Sequence, residues 1–240
     1  MAGTAVLGRL TWRDASVAET RAETPDTRTL VLDVDGWRPH RPGQHVDVRL
    51  TAEDGYQTER SYSIGSAPRA GQFELTVELL EDGEVSPYLV EEVRPGDVFE
   101  VRGPVGGYFV WEPSVGGPLL LVAGGSGVVP LMSMLRVRPS EVPARLIYSA
   151  RTFDDVIYRK ELDGFGDVVV LTLTREQRHG LRSGRVDAEL LGDAGFGPGE
   201  HPHIYVCGPT GFVEAVASTL VELGHAPERV RTERFGPTGR

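Results

Sequence analysis

Cysteine is almost missing from this chain, with Cys207 standing alone among 240 residues. A single thiol rules out an internal disulfide and any iron–sulfur cluster held by this chain's own cysteines, and it fits a reducing compartment. Lysine is equally scarce: Lys160 is the one lysine among 25 basic residues, which we read as compositional bias and not as chemistry. No stretch of about 18 apolar residues occurs, and residues 1–9 hold no apolar run of signal-peptide length. The expected location is therefore cytoplasmic, with no membrane insertion. Positive charge is short overall, the net being −10. Up to Glu112 there are 11 Arg against 20 Asp and Glu, whereas the remainder is close to balanced. An acidic first half disfavours nucleic acid and anionic membrane as partners. His201 and His203 lie two apart in a Pro-containing turn, a poor arrangement for a metal, and no metal site is expected.

What is abundant is turn chemistry, with 30 Gly and 17 Pro. In the first half, residues 28–33, 45–50, 72–80 and 97–102 alternate apolar and polar side chains between such turns. Period-2 alternation predicts antiparallel strands with one buried face, hence a small barrel or sandwich. Residues 85–93 have helical spacing, with Ser86 placed as an N-cap and Pro87 in the first turn. That helix start lies behind Gly83-Glu84-Val85-Ser86 and suits a phosphate, although an ordinary capped helix would read the same. Arg60-Ser61-Tyr62-Ser63 sets a guanidinium fork, a flat ring and a hydroxyl in one extended segment. In a strand, Arg60 and Tyr62 share one face, with Ser61 and Ser63 on the other. These groups suit a phosphate, a heterocycle and a ring nitrogen; alone, the quartet also reads as a plain edge strand.

After a linker at residues 116–118 the pattern changes. Residues 119–123, 144–149, 167–173 and 203–207 are near-continuous apolar runs, as expected of strands buried on both faces. Helical stretches lie between them at 128–137, 154–162, 186–191 and 210–223. Such alternation predicts a doubly wound, parallel-sheet α/β domain with a nucleotide beyond the carboxyl ends of its strands. The first strand runs into Gly124-Gly125-Ser126-Gly127, a backbone suited to pyrophosphate at a helix start. Pro130 takes the place of the third glycine of the usual dinucleotide fingerprint. Val128 follows Gly127 where a nucleophile elbow would need glycine two residues after the serine, so a triad hydrolase is not expected. Ser149 and Arg151 end the second run, and Thr174 and Arg175 the third. A hydroxyl with a guanidinium at neighbouring strand ends suits a 2′-phosphate, which favours NADPH over NADH; a solvated arginine face is the alternative. Cys207-Gly208-Pro209 opens the last of these strands into a helix.

Taken in order, these segments resemble the ferredoxin–NADP⁺ reductase superfamily over essentially the whole chain. Arg60-Ser61-Tyr62-Ser63 is similar to that family's R-x-Y-S flavin motif, and Gly83 to Ser86 with Leu89 to its G-x-x-S-x-x-L phosphate motif. Gly103-Pro104-Val105-Gly106 with Phe109, Gly124 to Pro130, and Cys207-Gly208-Pro209 resemble its remaining signatures. The resemblance implies a six-stranded antiparallel β-barrel flavin domain over residues 1–113, followed by an α/β doubly wound nucleotide domain over 117–240. It implies Arg60 on the flavin phosphate, Tyr62 against the isoalloxazine and Ser63 near its N5. Gly83, Val85 and Ser86 would hold the pyrophosphate of FAD, expected ahead of FMN, with Val77 counted in the same set. Gly124, Gly125, Ser126, Gly127, Gly208 and Pro209 would receive NAD(P)H. Cys207 and Glu233 would shape the nicotinamide pocket, and Phe235 would flank the flavin's other face. The implied reaction passes hydride from NADPH to bound FAD and electrons onward to a separate redox protein. Reduction of a free flavin or quinone, and a non-catalytic sensing subunit, are the competing expectations.

Overall fold

The structure is a computed structural model and describes residues 10–235; the expectations for residues 1–9 and for Gly236 onward lie outside them. Six antiparallel strands form the first layer: β1 (Trp12–Thr24), β2 (Thr27–Val34), β3 (His45–Thr51), β4 (Gln57–Ser63), β5 (Gln72–Glu78) and β6 (Val98–Val105), in the order β4-β3-β6-β1-β2-β5. The sheet closes into a barrel where β4 leaves β3. Ile64 bridges Leu75, and Gly65 N donates to Glu74 O at 2.9 Å. The inward residues of the alternating strands, among them Leu30, Leu32, Val46, Val48, Phe73 and Leu75, form one buried core. Trp37 and Phe73 stack in it at 4.4 Å between ring centroids. Each such side chain removed from water contributes roughly 1.5–3 kcal/mol.

The expected helix at 85–93 is a short wide turn, Tyr88–Glu92, in which Val93 N donates to Tyr88 O five residues back. Ser86 does not cap it. Its hydroxyl accepts from Leu80 N at 3.1 Å and so closes the preceding turn. Leu89 and Val90 are buried here, so the segment plugs the barrel end.

The second layer is a parallel sheet of β7 (Leu119–Gly124), β8 (Ala144–Ala150), β9 (Val169–Leu173), β10 (Arg182–Ser183), β11 (His203–Pro209) and β12 (Val230–Phe235), in the order β10-β9-β8-β7-β11-β12. Helix α1 (Val128–Val137) covers one face. Helices α3 (Ala188–Ala194) and α4 (Thr210–Glu222) cover the other, and a short α2 (Arg159–Asp163) lies beside α1. Alternate residues of one strand serve the two faces: Leu119, Leu121 and Ala123 pack toward α1, Leu120 and Val122 toward α4. That division explains the unbroken apolar runs.

Three more expected elements are corrected. The helix expected at 154–162 begins only at Arg159. Asp155 turns back to accept from Thr152 N and Oγ1, and Tyr158 adopts a left-handed φ of 59°. Helix 186–191 moves to Ala188–Ala194 because Asp187 accepts from Leu190 N at 2.9 Å and fixes the start. The third parallel strand starts at Val169 and not at 167, after a turn at Gly166. Strands β1, β10 and β12 were not anticipated.

The domains meet along α1 and the segment before α2. Arg136 donates to Gly65 O at 2.6 Å and contacts Glu74 at 3.3 Å on the barrel side, while gripping Glu161 with two nitrogens. Tyr158 reaches in beside it. Thr29 Oγ1 gives its one proton to the Glu23 carboxylate at 2.8 Å. Thr76 must therefore donate to Thr29 at 2.7 Å, and the Tyr158 phenol to Thr76 at 2.5 Å. Tyr158 N closes the circuit on Glu23 at 3.3 Å.

Candidate functional site

The parallel sheet reverses its winding direction between β7 and β11, and the crevice at such a reversal receives the ligand in open α/β sheets. Gly124 to Gly127 lie at the end of β7, with Cys207 to Pro209 at the end of β11. The two loops touch backbone to backbone. A Cβ on Gly127 would stand 2.2 Å from Cys207 O, and one on Gly208 2.9 Å from Gly124 O. Gly124 is closed off behind the Phe212 ring. Gly125 differs, with open space where its Cβ would be and a φ of 56°. Three of the four glycines thus serve loop contact, and Gly125 with Ser126 remains partly exposed beside the first amide groups of α1.

Ser149 and Arg151 end β8. Thr174 and Arg175 follow β9, joined to it by Thr174 N to Ala150 O at 2.9 Å and Arg175 N to Arg151 O at 2.8 Å. The expected pairs therefore sit side by side. Arg159, Arg178 and Arg182 have acidic partners, whereas Arg151 and Arg175 are exposed and have none among the described residues.

On the barrel, β4 presents its residues as the pleat requires. Ser61 donates to Asp47 on one face; Arg60 points to the other and donates to Glu84 at 3.0 Å, with half-buried Tyr62 beside it on the barrel core. Gly83 is needed because a Cβ there would meet Ser86 Oγ at 2.8 Å. Val77 and Val85 are 1% exposed and spend their side chains in the barrel core, so only their backbone is left for a cofactor.

Ser63 lies directly opposite His45 in the β3–β4 ladder. Its hydroxyl is buried and has no protein partner. The Nδ1 of His45 is 3.9 Å from Glu233 Oε1, so β12 reaches the barrel here. Burial lowers the His45 pKa and raises that of Glu233 to about 7, so it disfavours the charged form of both partners. Glu233 Oε2 is also buried without a partner. Cys207 faces Glu233 across β11 and β12. It is fully buried, and burial, then the nearby carboxylate, raises its pKa and favours the thiol. Phe235 packs on the same side, against the cluster that contains Cys207 and Trp111.

His45 thus links the two domains here, opposite Ser63 on the barrel and in contact with Glu233, the β12 partner of Cys207, while Arg60 and Gly83 to Ser86 lie on a separate barrel edge. Two unpartnered buried polar atoms in one cluster leave hydrogen-bonding capacity for a bound group. The residues fit a flavin, whose ring edge carries both donors and acceptors. Sequence reasoning missed His45 and Glu84. The first was hidden in a Pro-Gly turn signal, and its relation to Ser63 depends on strand register. Among the described residues, no cluster of three or more His, Cys, Asp and Glu could hold a metal ion, and no helix is long and apolar enough to cross a membrane.

Comparison with known proteins accounts for this arrangement. Residues 14–110 match the family model of the oxidoreductase FAD-binding domain, and residues 121–218 that of the oxidoreductase NAD-binding domain. The chain is 30% identical over 220 residues to the 2-halobenzoate 1,2-dioxygenase electron transfer component of Burkholderia cepacia, covering 88% of this chain and 63% of that protein. It is 34% identical over 232 residues to the glycine betaine monooxygenase reductase subunit of Chromohalobacter salexigens, covering 90% and 62%. This chain therefore spans less than two thirds of the length of these relatives. The crystal structure of the flavohem-like FAD/NAD binding domain of nitric oxide dioxygenase from Vibrio cholerae superposes with a TM-score of 0.84 at 25% identity, covering 94% of this chain and 99% of that one. With a barrel and a parallel sheet that match in order and both domain models satisfied, the chain belongs to the ferredoxin reductase family of FAD- and NAD-binding oxidoreductases.

Proposed function

We propose that this protein oxidises NADPH with a bound FAD and delivers the electrons to a separate oxygenase-type redox protein. The observation that carries this reading is the buried Ser63 hydroxyl without a protein partner, in a cluster with His45 and Glu233 where the two domains meet. Bound FAD would supply the chemistry that this chain lacks, accepting hydride and releasing electrons singly. The chain's share is placement. Arg60 and the backbone of Gly83 to Ser86 hold the phosphates, and Tyr62 supports the ring. Ser63 Oγ donates or accepts at the ring edge. The loops at Gly125 and Gly208 set the coenzyme at the sheet reversal, and Arg151 and Arg175 take its 2′-phosphate. Glu233 can hold or yield a proton near neutral pH, and the buried side chains around it exclude water.

Delivery to an oxygenase partner is supported by the two curated relatives, an electron transfer component and a reductase subunit by name. The test is the absorbance spectrum of the purified protein, identification of the released chromophore, and titration with NADPH and NADH. A yellow protein that releases FAD and bleaches with NADPH is expected. A colourless protein that takes up no flavin on reconstitution would overturn the reading. Turnover stimulated by free flavin but by no candidate redox protein would replace the partner with a diffusible acceptor.

A further inference from the structure

Glu84 lies inside the segment read as the phosphate cradle, between Gly83 and the buried Val85. Its Oε2 accepts from Arg60 Nη2 at 3.0 Å and from Thr58 Oγ1 at 3.1 Å, and its Oε1 accepts from the Tyr56 phenol at 3.1 Å. Three donors from β4 and the hairpin before it thus converge on one carboxylate. Hydrogen bonds from Tyr56 and Thr58, then the Arg60 charge, hold its pKa below the ordinary range. On the neighbouring strands β3 and β6, Arg49 is paired with Glu100 and Arg102 with Asp47. Glu81 and Asp82 add negative charge in the adjoining turn. A phosphate arriving here therefore finds its guanidinium fork already filled by an anion.

We propose that Glu84 is a built-in competitor for the flavin phosphate, so that Arg60 exchanges a carboxylate for a phosphate oxygen when a flavin nucleotide binds. This rests on the flavin reading given above. An exposed ion pair is cheap to break, so the competition weakens flavin retention without abolishing it, and the protein holds its flavin as an exchangeable ligand. A carboxylate that merely oriented Arg60 would have the opposite effect, because its removal would loosen the site.

The experiment uses the full chain stripped of flavin and titrated with FAD, FMN and riboflavin, followed by flavin fluorescence. Glu84→Gln keeps the shape of the side chain and deletes its charge. It is expected to tighten FAD and FMN about two- to fivefold and to leave riboflavin, which has no phosphate, unchanged. In an Arg60→Ala background the gain should shrink, since there is no fork left to compete for. Unchanged or weaker FAD binding by Glu84→Gln, equal tightening of riboflavin, or an undiminished gain without Arg60 would each overturn the proposal. Equal FAD affinity in the two proteins removes this inference alone, whereas uptake of no flavin by either removes the functional reading with it.

Discussion

At the scale of single residues, two buried groups carry a cost that the fold bears without protein partners. The Ser63 hydroxyl is 6% exposed and unpaired. Ser63→Ala should therefore raise the stability of the flavin-free protein by about 1 kcal/mol while lowering turnover, measured by urea denaturation and steady-state kinetics on the same preparations. Loss of both stability and turnover would mean that the hydroxyl is structural. Glu233 has its pKa raised from 4.5 to about 7 by burial. The folded chain then keeps a proton that the unfolded chain releases, so stability contributed by the neutral acid falls as pH rises from about 4.5 through 7, by roughly 3 kcal/mol in all. Glu233→Gln should abolish this component, gaining stability relative to the parent at pH 8 compared with pH 5. An identical pH profile for the two proteins would show that Glu233 titrates normally.

At the scale of elements, the ends of β8 and β9 place Arg151 and Arg175 together without an acidic partner among the described residues. Arg175→Ala should raise KM for NADPH by an amount worth about 1–3 kcal/mol and leave KM for NADH unchanged; an unaltered ratio would take Arg175 out of the coenzyme site. Tyr158→Phe should cost about 1 kcal/mol in chemical denaturation, because it deletes the donor to Thr76 in a buried hydroxyl chain. How far such elements could be read in advance depended on how their burial was distributed. The parallel strands were legible because both faces are buried, and α1 was legible from its place directly after the glycine loop that ends β7. Strand β1 was not, since only Ala15 and Val17 of its 13 residues are buried, which leaves no alternation to detect. The break before α2 depends on Tyr158 being drawn into the other domain, a contact that no local pattern records. In the site, each motif was visible within its own segment. The pairings His45 with Ser63 and Arg60 with Glu84 arise from register and from a turn folding back, and residue spacing carries neither.

At the scale of the whole molecule, the two domains share one set of buried contacts. Arg136 is 15% exposed and touches Glu161, Glu74 and the Gly65 carbonyl together. Removing Arg136 leaves the Gly65 carbonyl and Glu161 without this donor, so Arg136→Ala should cost roughly 1–3 kcal/mol and split one cooperative transition into two, resolved by calorimetry. A single transition with an unchanged midpoint would show that the domains are held by apolar packing alone.

The closed circuit from Tyr158 through Thr76 and Thr29 to Glu23 bears on how reactants come and go. It welds a strap of the coenzyme-side module to three staves of the barrel, so the angle between the modules is set like that of a fixed jaw. Any swing of one module against the other would have to break this buried run of donors and acceptors.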